Sequence, residues 1–218
     1  MYNTIYDSSG YGNNGTIYGT LTATDKNATQ FNGSSAIIVG RNPMVKDEIT
    51  LSCWGYLDNW NDFTGKELIG CTQSGGWVIG TNASGYLQLY MGIGTSSNTY
   101  KIITSINCST ISSGWHHFVG TYDGFISRLY LDGVELDHFN TGISTKTPIF
   151  YLTTNGIFIG AEAGTNTTTP DGAYFTGQMK NVRIYAKALS AEEVLELYNT
   201  AASIDSSGNV YARELVEE

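Results

Sequence analysis

The chain has 218 residues, with 41% hydrophobic, 14% charged and 12% aromatic side chains, 26 Gly and 15 Tyr. That balance is that of a turn-rich all-β domain and excludes coiled coil and disorder. Twenty acidic against eleven basic residues give a net charge of -9, which leaves no electrostatic footprint for a nucleic-acid backbone.

The opening Asp7 to Thr16, DSSGYGNNGT, gathers residues that tolerate positive φ or bond their own backbone, and reads as an ordered loop leading into a strand. SAIIVG from Ser35 is a short apolar strand. ITLSCWGYL, Ile49 to Leu57, alternates with period two: Ile49, Leu51, Cys53 and Leu57 face one way, Thr50, Ser52, Trp54 and Tyr56 the other. Both faces are partly apolar, so the strand belongs inside a sandwich. Further strands follow in ELIGCT from Glu67, WVIGT from Trp77, YLQLYMG from Tyr86 and YKIITS from Tyr100. Short strands at this spacing with Gly-rich turns predict a two-sheet sandwich or a barrel.

GWHHFVGTYDGFISRLYLDGVELDHF then predicts three strands joined at Asp123-Gly124 and Asp132-Gly133, a dipeptide suited to tight hairpin turns. GIFIG from Gly156 and QMKNVRIYA from Gln178 add two more, and AGTNTTTPDGAYF between them reads as a long surface loop. Ser190 followed by Glu193 is a capping box, and Val194, Leu197 and Tyr198 repeat at helical spacing, so a short amphipathic helix packs one face on the sandwich. Residues 201–218 form a tail with a turn at Ser207-Gly208-Asn209. It is too short to fold alone, so its apolar residues require cover from the domain or from a protein partner.

No apolar run is long enough for membrane insertion, and MYNTIYDSSG lacks the basic start and apolar stretch of a signal peptide. Cys53, Cys71 and Cys108 are an odd set without CxxC spacing and read as buried thiols. The Asn-x-Ser/Thr sequons at Asn14, Asn27, Asn32, Asn82, Asn107 and Asn166 are what an Asn/Ser/Thr-rich chain generates by chance. His116 and His117 are adjacent on a strand and so face opposite ways; they cannot chelate one ion together.

Taken together, D-x-S-G-x-G-N-x-G-T at Asp7, F-N-G-S at Phe31, T-L-S-C-W at Thr50, G-W-H-H-F-V-G-T-Y-D-G at Gly114, L-Y-L-D-G at Leu129 and V-R-I-Y-A-K-A-L-S-A-E-E-V at Val182 resemble the laminin-G-like jelly roll of the concanavalin A-like lectin/glucanase superfamily. The resemblance implies an all-β, two-sheet antiparallel sandwich over residues 1–200, carrying one short C-terminal helix, with 201–218 as a docking tail. It also implies variable rim loops that bind glycans or proteins, no catalysis, and often one structural calcium. The positions that match such a calcium site are Asp7, Asn13, Asn32 and Asn181. Where relatives read I-D-D or I-D-E, this chain has Met179-Lys180-Asn181, which lowers the affinity expected for Ca²⁺.

Some glycosidases of this superfamily carry E-x-D-x-x-E on one strand. Glu135-Leu136-Asp137 matches its first half, but Asn140 replaces the last Glu. The remaining pair would stand about 6.5 Å apart, wider than the roughly 5 Å of a retaining pair, and no nucleophile elbow or phosphate loop occurs. A glycan site needs ring faces and amides in loops. Asn59, Trp60, Asn61 and Asp62 have that make-up, with Tyr174 as a flank; the alternative is that Trp60 folds back to cap the sandwich edge. The expected function is a non-catalytic recognition or adhesion module, a subunit of an oligomeric assembly on a virion (a bacteriophage, for instance) or a cell surface and therefore extracellular. The alternatives are a cement protein that binds no sugar and, third, a glycosidase.

Overall fold

A computed structural model describes residues 3–24, 27–40, 45–72, 75–96, 100–142, 144–152, 156–164, 167–204 and 210–212. In chain order the strands are β1 (Thr4–Ile5), β2 (Gly15–Tyr18), β3 (Thr22–Ala23), β4 (Thr29–Asn32), β5 (Ala36–Gly40), β6 (Ile49–Leu57), β7 (Glu67–Thr72), β8 (Gly76–Thr81), β9 (Tyr86–Gly92) and β10 (Tyr100–Asn107). They continue as β11 (Gly114–Tyr122), β12 (Ile126–Leu131), β13 (Val134–Asn140), β14 (Ile157–Ile159), β15 (Glu162–Ala163), β16 (Pro170–Gly172) and β17 (Thr176–Tyr185). After the helix α1 (Ala191–Ala201) come β18 (Ala202–Ile204) and β19 (Val210–Ala212).

Two antiparallel sheets are stacked. One has eight strands in the order β1-β2-β5-β14-β7-β8-β9-β10, and the other seven, β13-β12-β11-β6-β17-β4-β3. The period-two reading of β6 holds: Ile49, Leu51 and Cys53 join the core between the sheets, while Trp54 lies in a separate cluster on the outer face with Trp115. Facing β6 and β11 across the core are Ile69, Cys71, Ile79, Leu89 and Met91, all without exposure. Each such side chain contributes roughly 1.5–3 kcal/mol by leaving water. Gly120 on β11 sets the closest approach of the layers, since a Cβ there would sit 2.6 Å from Leu89 Cδ1.

The two Asp-Gly turns differ. Asp132 and Gly133 both have positive φ (52° and 78°) and close a two-residue loop between Leu131 and Val134, as expected of this dipeptide. At Asp123 only Gly124 is positive, and the Asp123 carboxylate instead accepts from the N–H groups of Phe125 and Ile126 at 2.8 and 2.7 Å, giving a wider loop. The segment 163–175, expected to be a plain loop, contains the β15–β16 hairpin, which packs against β7 on the outside of the eight-stranded sheet. Its physical reason is Phe158, an outward-facing ring on β14 with no exposure, which needs cover on that side.

The outer face of the seven-stranded sheet is closed by α1. Its capping box forms as expected, with Ser190 Oγ accepting from the Glu193 N–H and Glu193 Oε2 accepting from the Ser190 N–H. Thr50 Oγ1 donates to the Lys187 carbonyl and accepts from the Leu189 N–H, which fixes the entry to the helix. Val194 is buried with Val119 and Tyr130. The boundary expected at residue 200 falls at the last turn of α1; the turn at 207–209 lies outside the described residues, and the backbone of β19 passes beside β11.

Candidate functional site

The loop expected to hold a sugar is built differently. Trp60 has no exposure: it begins a single 3₁₀ turn, Trp60–Asp62, its Nε1 donates to the Gly114 carbonyl at 3.2 Å, and its ring packs against Phe63, His116 and Phe118. The indole caps the end of the sandwich, because a large ring beside Gly55 gains more from filling that space than from standing in water. Asn59 caps the turn by accepting from the Asn61 N–H, and Asn59, Asn61 and Asp62 are exposed polar groups. Tyr174 is half-buried, hydrogen-bonded with Tyr18.

The four positions matched to calcium do not converge. Asp7 and Asn13 adjoin, but the Asp7 carboxylate is occupied in closing its own loop, accepting from Ser9 N–H, Ser9 Oγ and Asn13 N–H at 2.9, 2.7 and 2.9 Å. These bonds hold its pKa below the usual carboxylate range. Asn32 pairs with Thr176 on β17, five residues from Asn181, a separation of roughly 16 Å along a strand. Calcium ligands must lie within about 2.6 Å of one ion, so these residues do not fit the group. Among the described residues no three His, Cys, Asp or Glu side chains are grouped to hold a metal.

Glu135 and Asp137 stand on β13, the exposed edge of the seven-stranded sheet. Glu135 pairs with His138 Nδ1 at 3.0 Å and lies 3.7 Å from Arg128 Nε. His116 and His117 do face opposite ways: His116 bonds Asp132 at 2.6 Å beside Trp60, while His117 bonds Ser52 Oγ at 2.8 Å under Trp54. Cys53, Cys71 and Cys108 are buried thiols; burial raises Cys53 and Cys108 to about 12.

A surface does assemble on the outer face of the eight-stranded sheet, at β8, β9 and β10. The register carries one row of outward positions from Ile102 through Tyr90 and Val78 to Gly70. A second row runs Thr104, Gln88, Gly80 and Glu67. Tyr100 stacks on Tyr90 with ring centroids 5.1 Å apart and planes at 25°, forming a ledge at the sheet edge. Tyr100 and Ile102 keep 48% and 42% of their surface exposed on neighbouring positions, and Tyr86 keeps 40% at the other end of β9, beyond the Gln88–Thr104 row. In the next row the Gln88 amide donates to Thr104 Oγ1 at 2.7 Å. Burial, with Tyr100 adding, raises the Tyr90 phenol to about 12, so it stays neutral and able to donate.

An apolar row beside a polar row suits a ligand with one hydrophobic face and a rim of hydroxyls. The sequence carried a signal for it. In YLQLYMG the inward set is Leu87, Leu89 and Met91, and the aromatic set Tyr86 and Tyr90 alternates with it onto the opposite face.

The sequence matches, over residues 31–195, the family model Laminin_G_3, described as concanavalin A-like lectin/glucanases superfamily. Among solved structures it is similar to the binding domain of Paraclostridial Mosquitocidal Protein 1, at TM-score 0.63 and 19% identity, over 96% of this chain and 53% of that one. It is also similar to domain 4 of AbnA, a GH43 extracellular arabinanase from Geobacillus stearothermophilus, in complex with arabinotriose, at TM-score 0.65 and 22% identity, over 90% and 93%. A third is the binding domain of botulinum neurotoxin DC in complex with rat synaptotagmin II, at TM-score 0.60 and 19% identity, over 96% and 52%. The chain thus spans about half the length of the two toxin domains. No curated protein sequence matches it significantly.

Proposed function

The chain belongs to the concanavalin A-like lectin/glucanase superfamily, and from that premise we propose that it is a non-catalytic recognition module that binds glycan on the open face of its eight-stranded sheet. The observation that carries this is the Tyr90–Tyr100 ledge with Ile102 exposed in line and the Gln88–Thr104 pair in the next row. Sugars lay their C–H faces on such rings while amides and hydroxyls bond their rims. Two of the similar structures are binding domains and a third is complexed with arabinotriose, which supports the reading. The setting we propose is extracellular, on a cell or particle surface, with the tail beyond residue 200 as the attachment to a larger assembly. Among the described residues no helix is long and apolar enough to cross a membrane.

Calorimetric titration with arabinotriose and a panel of plant and microbial oligosaccharides tests the reading. At least one glycan should bind, and Tyr100→Ala should weaken it by about tenfold, the loss of one ring contact of about 1.4 kcal/mol. Silence across the panel favours a protein partner or a purely structural role. Binding insensitive to Tyr100→Ala and Tyr90→Ala places the site elsewhere.

A further inference from the structure

Glu67 opens β7 with its side chain on the outer face of the eight-stranded sheet. It runs across Gly80 and Gly70, whose missing side chains make the slot it occupies: a Cβ at Gly70 would lie 2.4 Å from Glu67 Oε2, and one at Gly80 3.3 Å from Glu67 Cγ. Val78 closes one flank, and the β15–β16 hairpin packs above. Oε2 is shut off from solvent and has no hydrogen-bond partner among the described residues. An ionised carboxylate with one oxygen buried and unpartnered is disfavoured against its neutral form.

The charged groups facing Glu67 have the wrong sign to help. Glu162 comes from β15, with Asp171 of β16 acting on Glu162, while β8 and β14 bring no titratable side chain. Lys66 precedes it in the chain, and Tyr174 follows the hairpin.

We infer that Glu67 is a proton-operated latch: protonated, it seats the β15–β16 strand pair on the sheet, and on ionisation it drives that pair off through desolvation and repulsion from Glu162. Opening would uncover Phe158, which lies in the same cross-strand row as Tyr90 and Val78. Burial, first, and then the charge of Glu162 push the Glu67 pKa well above the usual carboxylate range. Glu162 is itself raised, by burial and then by Asp171. A carboxyl whose pKa is higher closed than open favours the closed form fully below its open-state value. That advantage is lost as pH rises to the closed-state value, and one released proton makes the opening constant rise at most about tenfold per pH unit.

The latch is independent of any ligand, so its test needs none. Amide hydrogen exchange of β15 and β16 in the full chain, corrected for the intrinsic pH dependence, should show opening that increases from pH 5 to pH 8 in the wild type. Glu67→Gln should flatten that dependence and keep the hairpin protected, and Glu162→Gln should make the slope end at lower pH. A flat wild-type profile, or the same slope in Glu67→Gln, overturns the inference. Should Glu67→Gln fail to fold, the ¹³C titration of the Glu67 carboxyl decides. A midpoint in the ordinary carboxylate range with the hairpin still protected overturns the latch, and a raised midpoint that coincides with opening sustains it.

Discussion

The two sheets treat their outer faces in opposite ways. On the seven-stranded sheet Trp54, Trp115, Val119 and Tyr130 are all buried, sealed by α1, whose Tyr198 stacks on Trp54 at 5.6 Å and 11°. On the eight-stranded sheet the hairpin covers Phe158 but leaves Tyr86, Tyr100 and Ile102 bare at the β9–β10 edge. The chain therefore covers the aromatic face of one sheet, and on the other covers Phe158 while leaving the β9–β10 edge bare. An apolar surface left open beside a closed one supports the proposed binding face.

The sharpest way to break this comparison is to truncate one ring on each face. Trp54→Ala should cost about 3–5 kcal/mol in urea denaturation, the range for deleting a large buried aromatic. Tyr100→Ala should stay within about 0.5 kcal/mol, as surface substitutions do. A Tyr100→Ala variant as unstable as Trp54→Ala would show that the open face is held by contacts like those under the helix, and the distinction would fall.

The pKa shifts under the two faces run in opposite directions. His117 stacks on Trp54 at 5.1 Å, bonds Ser52 through Nε2, and has a buried Nδ1 with no partner among the described residues. Burial lowers its pKa to about 4, with Asp132 pulling it up and Arg183 adding to the fall. Its unfolded value is near 6.5, so between those values the unfolded chain binds the extra proton. Stability conferred by the neutral ring is complete above about pH 6.5 and is lost as pH falls to 4, by roughly 3 kcal/mol. His117→Gln should remove that part of the acid limb in denaturation profiles from pH 7 to 4; an unchanged limb would mean the ring is already accessible to protons under α1. Glu67 runs the other way, favouring its closed form in acid, so low pH loosens the sealed face while tightening the hairpin on the open one.

Much of the fold was legible because period two and burial agree. β6, β7 and β9 begin and end where the alternating runs ITLSCWGYL, ELIGCT and YLQLYMG do. The capping box at Ser190 was equally readable, being local. The site was not. Trp60 lies in a polar loop, and only the space beside Gly55 and the Gly114 carbonyl, far off in sequence, draw it inside. The calcium positions matched by motif, but register separates Asn32 from Asn181 along one strand pair. The open face required knowing that β10 is a sheet edge and that, among the described residues, no element packs on the outer side of β9, which is a property of the sheet order and not of either strand.

The smallest effect probes whether the two faces are energetically separate. Ser190 Oγ accepts from the Glu193 N–H, and the Glu193 carboxylate, paired with Lys187, accepts from the Ser190 N–H. Ser190→Ala leaves one helix N–H unsatisfied and should cost about 1 kcal/mol in thermal or urea denaturation. Because Val194 and Tyr198 hold α1 to the seven-stranded sheet by packing, the helix should stay docked. Glycan affinity at Tyr90 and Tyr100 should not change, since those rings lie on the far side of the core. A shift in affinity alongside the stability loss would mean that the cover on one sheet sets the shape of the other, and the open face would then have to be treated as coupled to α1 through the packed layer of Leu89, Ile79 and Gly120 between them.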